Sequence, residues 1–286
     1  MTGRLFIFGL GFSGLEIAKL AKASGWDVAG TCRSAEKAVS LRAQGFEVHR
    51  FDGTAALAPE AVGDGAHVLC TIAPGSVGDP ALRTSAPLLR RARWLGYLST
   101  TGVYGDQNGA WVDEETPPRP VRQRNVERLA AERAWQAMGL EARVAVDIFR
   151  LPGIYGPGRS AIDQVKAGTA RRIDKPGQVF SRIHIEDIAG TVLVAISRPR
   201  GGNVYNVADD LPAAAADVTA FACELLGKPV PPAVPWEEIA PSLSEMARSF
   251  YAENRRVRND RIKDELGVVL RYPTYREGLR AIAAGS

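Results

Sequence analysis

The stretch Gly9-Leu10-Gly11-Phe12-Ser13-Gly14 narrows the choice of fold more than any other part of this chain. It directly follows an apolar run, Arg4–Phe8, and opens an amphipathic segment, so it reads as strand, tight turn and helix. Each glycine answers a different steric demand. Gly9 permits the turn, Gly11 lets a ligand approach the backbone, and Gly14 lets the helix lie close to the strand. The free N–H groups and the dipole at the start of such a helix attract phosphate. Gly9, Gly11, Phe12, Ser13 and Gly14 are thus the expected cradle of a dinucleotide pyrophosphate, with a bare structural turn as the alternative.

Beyond the turn, short apolar runs alternate with amphipathic stretches, the pattern of βα units around a parallel sheet. Strands are expected at Arg4–Phe8, Asp27–Thr31, Phe46–Arg50, His67–Ile72, Trp94–Ser99 and Val144–Arg150. Helices are expected at Ser13–Ser24, Ala35–Gln44, Pro80–Arg91 and Arg122–Met138. From Leu151 the pattern loosens into short strands, such as Ile183–Ile185 and Val204–Val207, with helices at Ile188–Ser197, Ala213–Leu226, Asn259–Leu266 and Thr274–Ala283. The expected fold is α/β: a Rossmann doubly wound parallel sheet with a smaller C-terminal substrate-side lobe. Residues 1–150 would form the dinucleotide-binding part. Residues 151–286 would supply remaining sheet elements and the lobe, the whole being one continuous unit.

Charge and cysteines bound the partners. A net charge of +4 is modest, and basic and acidic residues alternate without a basic stripe, which argues against nucleic acid. Cys32, Cys70 and Cys223 lie far apart without metal-ligand spacing; free thiols in a reducing cytoplasm fit them, and no metal is expected. The glycine-broken run Leu5–Phe12 is too short for a membrane span.

The second strand runs into Thr31-Cys32-Arg33-Ser34. A carboxylate at this place would accept from a ribose 2′-hydroxyl and repel a 2′-phosphate, whereas a guanidinium can clamp that phosphate. Arg33 therefore points to NADP, with NAD as the alternative. Asp52, beyond the third strand, is placed to reach an adenine amine or to cap a turn.

Several further segments resemble the extended short-chain dehydrogenase/reductase family, the NAD(P)-dependent epimerases and dehydratases. They are Leu98–Gly105 (LSTTGVYG), Asp113–Pro120 (DEETPPRP), Arg150–Gly158 (RLPGIYGPG), Ile183–Ile188 (IHIEDI), Asn203–Val207 (NVYNV) and Glu265–Gly267 (ELG). The resemblance implies that Thr100 holds the reacting oxygen of a small-molecule substrate, that Ala73 and Pro74 line the cofactor, and that Pro152 and Gly153 face its nicotinamide. It also implies a Tyr and a Lys one helical turn apart, the Lys lowering the phenol pKa for acid–base work. Those two places fall on Arg124 and Arg128. Arg128 could still bond a ribose, but Arg124 cannot replace a phenol, because a guanidinium stays protonated and accepts no proton.

Tyr104, Glu114 (with Asp113 and Glu115) and His184 are the candidate substitutes for the missing phenol, the alternatives being a structurally packed Tyr104, solvated loop carboxylates and a hydrogen-bonded structural His184. Arg119, Arg122, Arg124 and Arg128 would make a cationic mouth for an anionic substrate or a nucleotide sugar, or balance Glu127 and Glu132 in a surface lattice. Two readings follow: an NADP-dependent oxidoreductase or epimerase-type enzyme with a non-standard proton relay, or a catalytically silent NADP(H)-binding sensor or scaffold. A non-redox lyase or isomerase using the acidic side chains is a third. The resemblance further implies a homodimer through the helices Pro80–Arg91 and Arg122–Met138.

Overall fold

A computed structural model describes residues 3–198 and 201–285. Seven parallel strands make the central sheet: β1 (Arg4–Phe8), β2 (Asp27–Cys32), β3 (Glu47–Arg50), β4 (His67–Cys70), β5 (Trp94–Thr100), β6 (Val146–Leu151) and β7 (Val204–Asn206). Their order is β3-β2-β1-β4-β5-β6-β7. The reversal between β1 and β4 leaves a crevice beyond the carboxyl ends of those strands, where doubly wound sheets take their ligands.

The near-continuous apolar reading of β1 follows from burial on both faces. On one face, helix α1 (Phe12–Ala23) sets Ile17, Ala18 and Ala21 against Ile188, Val192 and Ala195 of a later helix, Ile185–Ser197. On the other, Phe6, Phe8 and Tyr97 pack beneath Leu89 of helix α2 (Pro80–Leu89) and Trp135 and Met138 of helix α3 (Gln123–Ala142). The lobe has its own small core, in which Tyr155, Ile162, Val218, Ala222 and Leu279 meet.

Elements and boundaries follow the sequence pattern closely, with informative departures. β7 pairs with β6, so the C-terminal half completes the sheet. The expected strand Ile183–Ile185 is Arg182–His184, because His184 caps the helix that begins at Ile185. A helix at Glu245–Tyr251 has no counterpart in the sequence reading; it is short and sits in a polar, weakly periodic stretch. Among the described residues no helix is long and apolar enough to cross a membrane.

Candidate functional site

The glycine turn is shaped for a ligand pressed against its backbone. Gly9 has φ +96°, and a Cβ there would lie 2.7 Å from Thr71 Oγ1. A Cβ on Gly14 would lie 2.1 Å from the Gly9 carbonyl oxygen, so α1 packs against the turn as closely as chain geometry allows. A Cβ on Gly11 would meet nothing within 4 Å: that face of the backbone is open. Thr31 ties the turn to β2, its Oγ1 accepting from Gly9 N at 2.9 Å and its carbonyl from Leu10 N at 2.7 Å. No side chain caps α1 and no acid lies in its first turn, so its leading N–H groups, at Phe12, Ser13 and Gly14, face the crevice uncompensated.

A cavity of about 570 Å³ opens over this turn, lined among others by Gly9, Gly11, Arg33, Lys37, Asp52 and Ala73. Arg33 and Lys37 put two cations at its outer end. Lys37 was not anticipated; it lies one helical turn beyond Ser34, the residue that caps its helix. Asp52 is exposed and accepts from Thr54 N and Oγ1, which hold its carboxyl below the usual range.

Ala73 also lines a second cavity of about 570 Å³, with Pro74, Thr100, Arg124, Arg128 and Pro152. The two cavities therefore adjoin at Ala73, beyond the carboxyl ends of the strands. Thr100 stands where β5 ends, its Oγ1 accepting from Gly102 N at 3.1 Å. The Arg128 Nη1 group donates to the Leu98 carbonyl at 2.8 Å and to the Tyr97 hydroxyl at 3.1 Å. Arg124 donates to Ser249 Oγ at 2.9 Å, and its guanidinium carbon lies 5.1 Å from the Phe250 ring centre, so it fastens the helix Glu245–Tyr251 over the cavity. That helix brings a phenol, Tyr251, into the wall. Sequence reasoning missed Tyr251 because it is remote along the chain and belongs to no motif.

Three candidate substitutes for the missing phenol lie elsewhere. Tyr104 is fully buried; its hydroxyl accepts from Arg150 Nη1 at 2.9 Å and donates to Asn206 Oδ1 at 2.8 Å, and burial raises its pKa. It lines neither cavity. Glu114 turns inward and accepts from Asn206 N at 2.7 Å; burial raises its carboxyl pKa. His184 is buried between the rings of Tyr155 and Tyr272, and its Nδ1 accepts from Glu186 N at 3.3 Å. Burial, reinforced by Arg271, lowers its pKa to about 4, so it is a neutral helix cap.

The expected surface lattice is also different. Glu132 is buried and pairs with Arg150 at 2.8 Å, while Arg122 reaches Glu253 at 3.5 Å. The signal for the buried pair was an Arg within a strand buried along its whole length, because such a cation needs a partner inside. Among the described residues no cluster of three or more His, Cys, Asp or Glu is set to ligate a metal.

Over residues 82–208 the chain matches the NAD dependent epimerase/dehydratase family. The protein YeeZ of Escherichia coli K12 is 28% identical over 221 residues, covering 71% of this chain and 77% of YeeZ. A conserved protein of unknown function from Silicibacter pomeroyi is 46% identical, with 99% of both chains covered and a TM-score of 0.89. UDP-glucuronic acid 4-epimerase of Bacillus cereus, solved with NAD, shares the fold at 18% identity, with a TM-score of 0.77 over 98% of this chain and 96% of that one. The chain belongs to the NAD dependent epimerase/dehydratase family.

Proposed function

We propose that this chain is an NADP(H)-dependent oxidoreductase or epimerase-type enzyme acting on a small anionic molecule without the tyrosine–lysine relay. The observation that carries the reading is the pair of cavities that adjoin at Ala73. One lies over the open Gly11 backbone and the other is lined by Thr100. The pyrophosphate would rest on the N–H groups of Phe12, Ser13 and Gly14. Arg33 and Lys37 would clamp the 2′-phosphate, a charge-assisted contact that NAD cannot make. Asp52 faces the adenosine end, and Pro74, Arg128 and Pro152 line the nicotinamide end.

When bound, NADP(H) supplies a hydride donor or acceptor. The protein's own part is to orient and to manage charge. Thr100 offers a hydroxyl to the reacting oxygen, and Tyr251 is the phenol in the same cavity. Arg124 and Arg128 cannot relay a proton, but they favour an oxygen that gains negative charge.

Titration with NADPH and NADH, followed by a carbonyl and nucleotide-sugar screen, tests this reading. NADPH should bind at least about tenfold more tightly than NADH, and Arg33→Ala should erase the difference. Turnover should fall about a hundredfold in Thr100→Ala. Failure of either dinucleotide to bind would remove the reading. Tight binding without turnover of any screened substrate would favour a silent NADP(H)-binding sensor. The fastening of Arg124 to Ser249 and Phe250 gives that second reading its support.

A further inference from the structure

Arg182 borders two cavities at once. It lines the Thr100 cavity and, with Gly153 and Ala215, also lines a third cavity of about 620 Å³ over Ser160 and Thr219. Its Nη1 donates to the Phe180 carbonyl at 2.8 Å and to the Ala213 carbonyl at 2.9 Å. Both carbonyls also accept from a backbone amide, since Phe180 and Ala213 bond each other reciprocally. The Nε and Nη2 groups have no hydrogen-bond partner among the described residues, and the guanidinium carbon lies 5.8 Å from the Phe180 ring centre.

No carboxylate pairs with this guanidinium. Of the other cations here, Arg255 pairs with Glu253 at 2.8 Å and Arg122 reaches the same acid, while Arg124 and Arg128, like Arg182, bond neutral groups only, Ser249 and the Leu98 carbonyl. The acid that acts most on Arg182 is Asp209, whose Oδ2 has no hydrogen-bond partner. Burial raises that carboxyl to about 8, with the charge of Arg182 as the main influence opposing the rise. Desolvation also lowers the pKa of Arg182 itself. A half-buried cation without a carboxylate in hydrogen-bond reach is unfavourable for the fold, and here it stands where two cavities adjoin.

We propose that Arg182 anchors an anionic group of the substrate, a carboxylate or a phosphate monoester, at the junction of the Thr100 cavity and the Ser160 cavity. Either group offers two oxygens to the free edge of the guanidinium. With the anion fixed there, the rest of the substrate extends toward Thr100. The inference rests on the dinucleotide-cleft reading above and names the substrate class for that cleft.

The test uses the whole chain saturated with NADP⁺, so that the pyrophosphate cradle is filled. Phenyl phosphate and benzoate are then titrated by calorimetry into wild type, Arg182→Met, Arg182→Lys and Ala215→Leu. Wild type should bind at least one probe saturably. Arg182→Met should weaken that binding about ten- to a hundredfold, and Arg182→Lys should fall between. Ala215→Leu narrows the junction without touching the charge and should weaken binding similarly. NADP⁺ affinity should be unchanged in all variants. Which probe binds tells carboxylate from phosphate. Binding unaltered by Arg182→Met, or no binding of either probe by wild type, would overturn the proposal. Failure of wild type to bind NADP⁺ would instead strike the cleft reading, and is read out separately.

Discussion

Arg150 and Arg182 are both enclosed arginines near the carboxyl ends of the sheet, and the protein treats them in opposite ways. Arg150 lies next to the end of β6, with its Nη2 on Glu132 at 2.8 Å, its Nη1 on the Tyr104 hydroxyl at 2.9 Å and its guanidinium carbon 4.9 Å from the Tyr104 ring centre. Burial would lower its pKa, but the Glu132 hydrogen bonds and charge outweigh it and the net shift is upward. At Arg182 the charge of Asp209 opposes the same burial without a hydrogen bond and does not outweigh it, and the net shift is downward. A fully answered cation is part of the framework. An unanswered one is a request for a ligand.

The largest expected effect comes from removing the answer at Arg150. Glu132→Ala leaves a buried guanidinium unpaired and takes the acceptor from the Ser99 hydroxyl, which bonds Glu132. Breaking a buried pair from one side typically destabilises by about 3–5 kcal/mol, and urea unfolding should show that loss. The paired change Glu132→Leu with Arg150→Met should recover most of it. A loss below about 1 kcal/mol in the single variant would show that water reaches the pair, and the contrast with Arg182 would dissolve.

The next effect is a pH dependence on the Arg182 side. Asp209 is buried, facing Arg182, Tyr155, Asp187 and Asp210; its carboxyl rises from 3.8 to about 8. Between those values the folded protein holds a proton that the unfolded chain has released, so stability falls as pH rises. His184 has the reverse sign. Its pKa falls from 6.5 to about 4, so the unfolded chain binds a proton that the folded protein refuses, and stability falls as pH drops. The two slopes oppose each other below 6.5, and that of Asp209 stands alone from there to about 8. In that window stability should decline by up to about 1.4 kcal/mol per pH unit. Asp209→Asn should flatten the decline in urea titrations made at successive pH values; an unchanged slope would mean that the carboxyl ionises freely beside Arg182.

How much of this was legible in the sequence follows from the range of each interaction. The turn Gly9–Gly14 was readable because its demands are local: each glycine answers to neighbours within one βα unit or to a ligand. The sheet was readable because strands buried on both faces are written as apolar runs. The roles of Tyr104, Glu114 and His184 were not, because each is decided by a partner remote in sequence. Tyr104 meets Asn206 102 residues away, and Glu114 meets the same residue across 92. The expected lattice around Glu132 failed for the same reason: helical spacing shows which residues share a face, not which face is buried. Arg182 stands one residue before Ile183–Ile188, a segment that the family resemblance marked without it. Only the absence of a partner distinguishes it, and absence has no signature in a sequence.

The smallest expected effect sharpens the comparison most. Arg182→Met removes an unpaired charge and replaces its stem with one of similar length. Phe180 and Ala213 keep their mutual backbone bonds, so neither carbonyl is orphaned. Lost hydrogen bonds and relieved desolvation should nearly cancel, leaving unfolding free energy within about 1 kcal/mol of wild type. Measured by urea unfolding of the ligand-free protein, that result beside the large loss in Glu132→Ala would separate a cation kept for binding from one kept for the fold. A loss of about 3 kcal/mol or more would instead place Arg182 among the structural arginines. It would then have to be holding the lobe through Phe180 and Ala213 more tightly than two carbonyls with other donors imply.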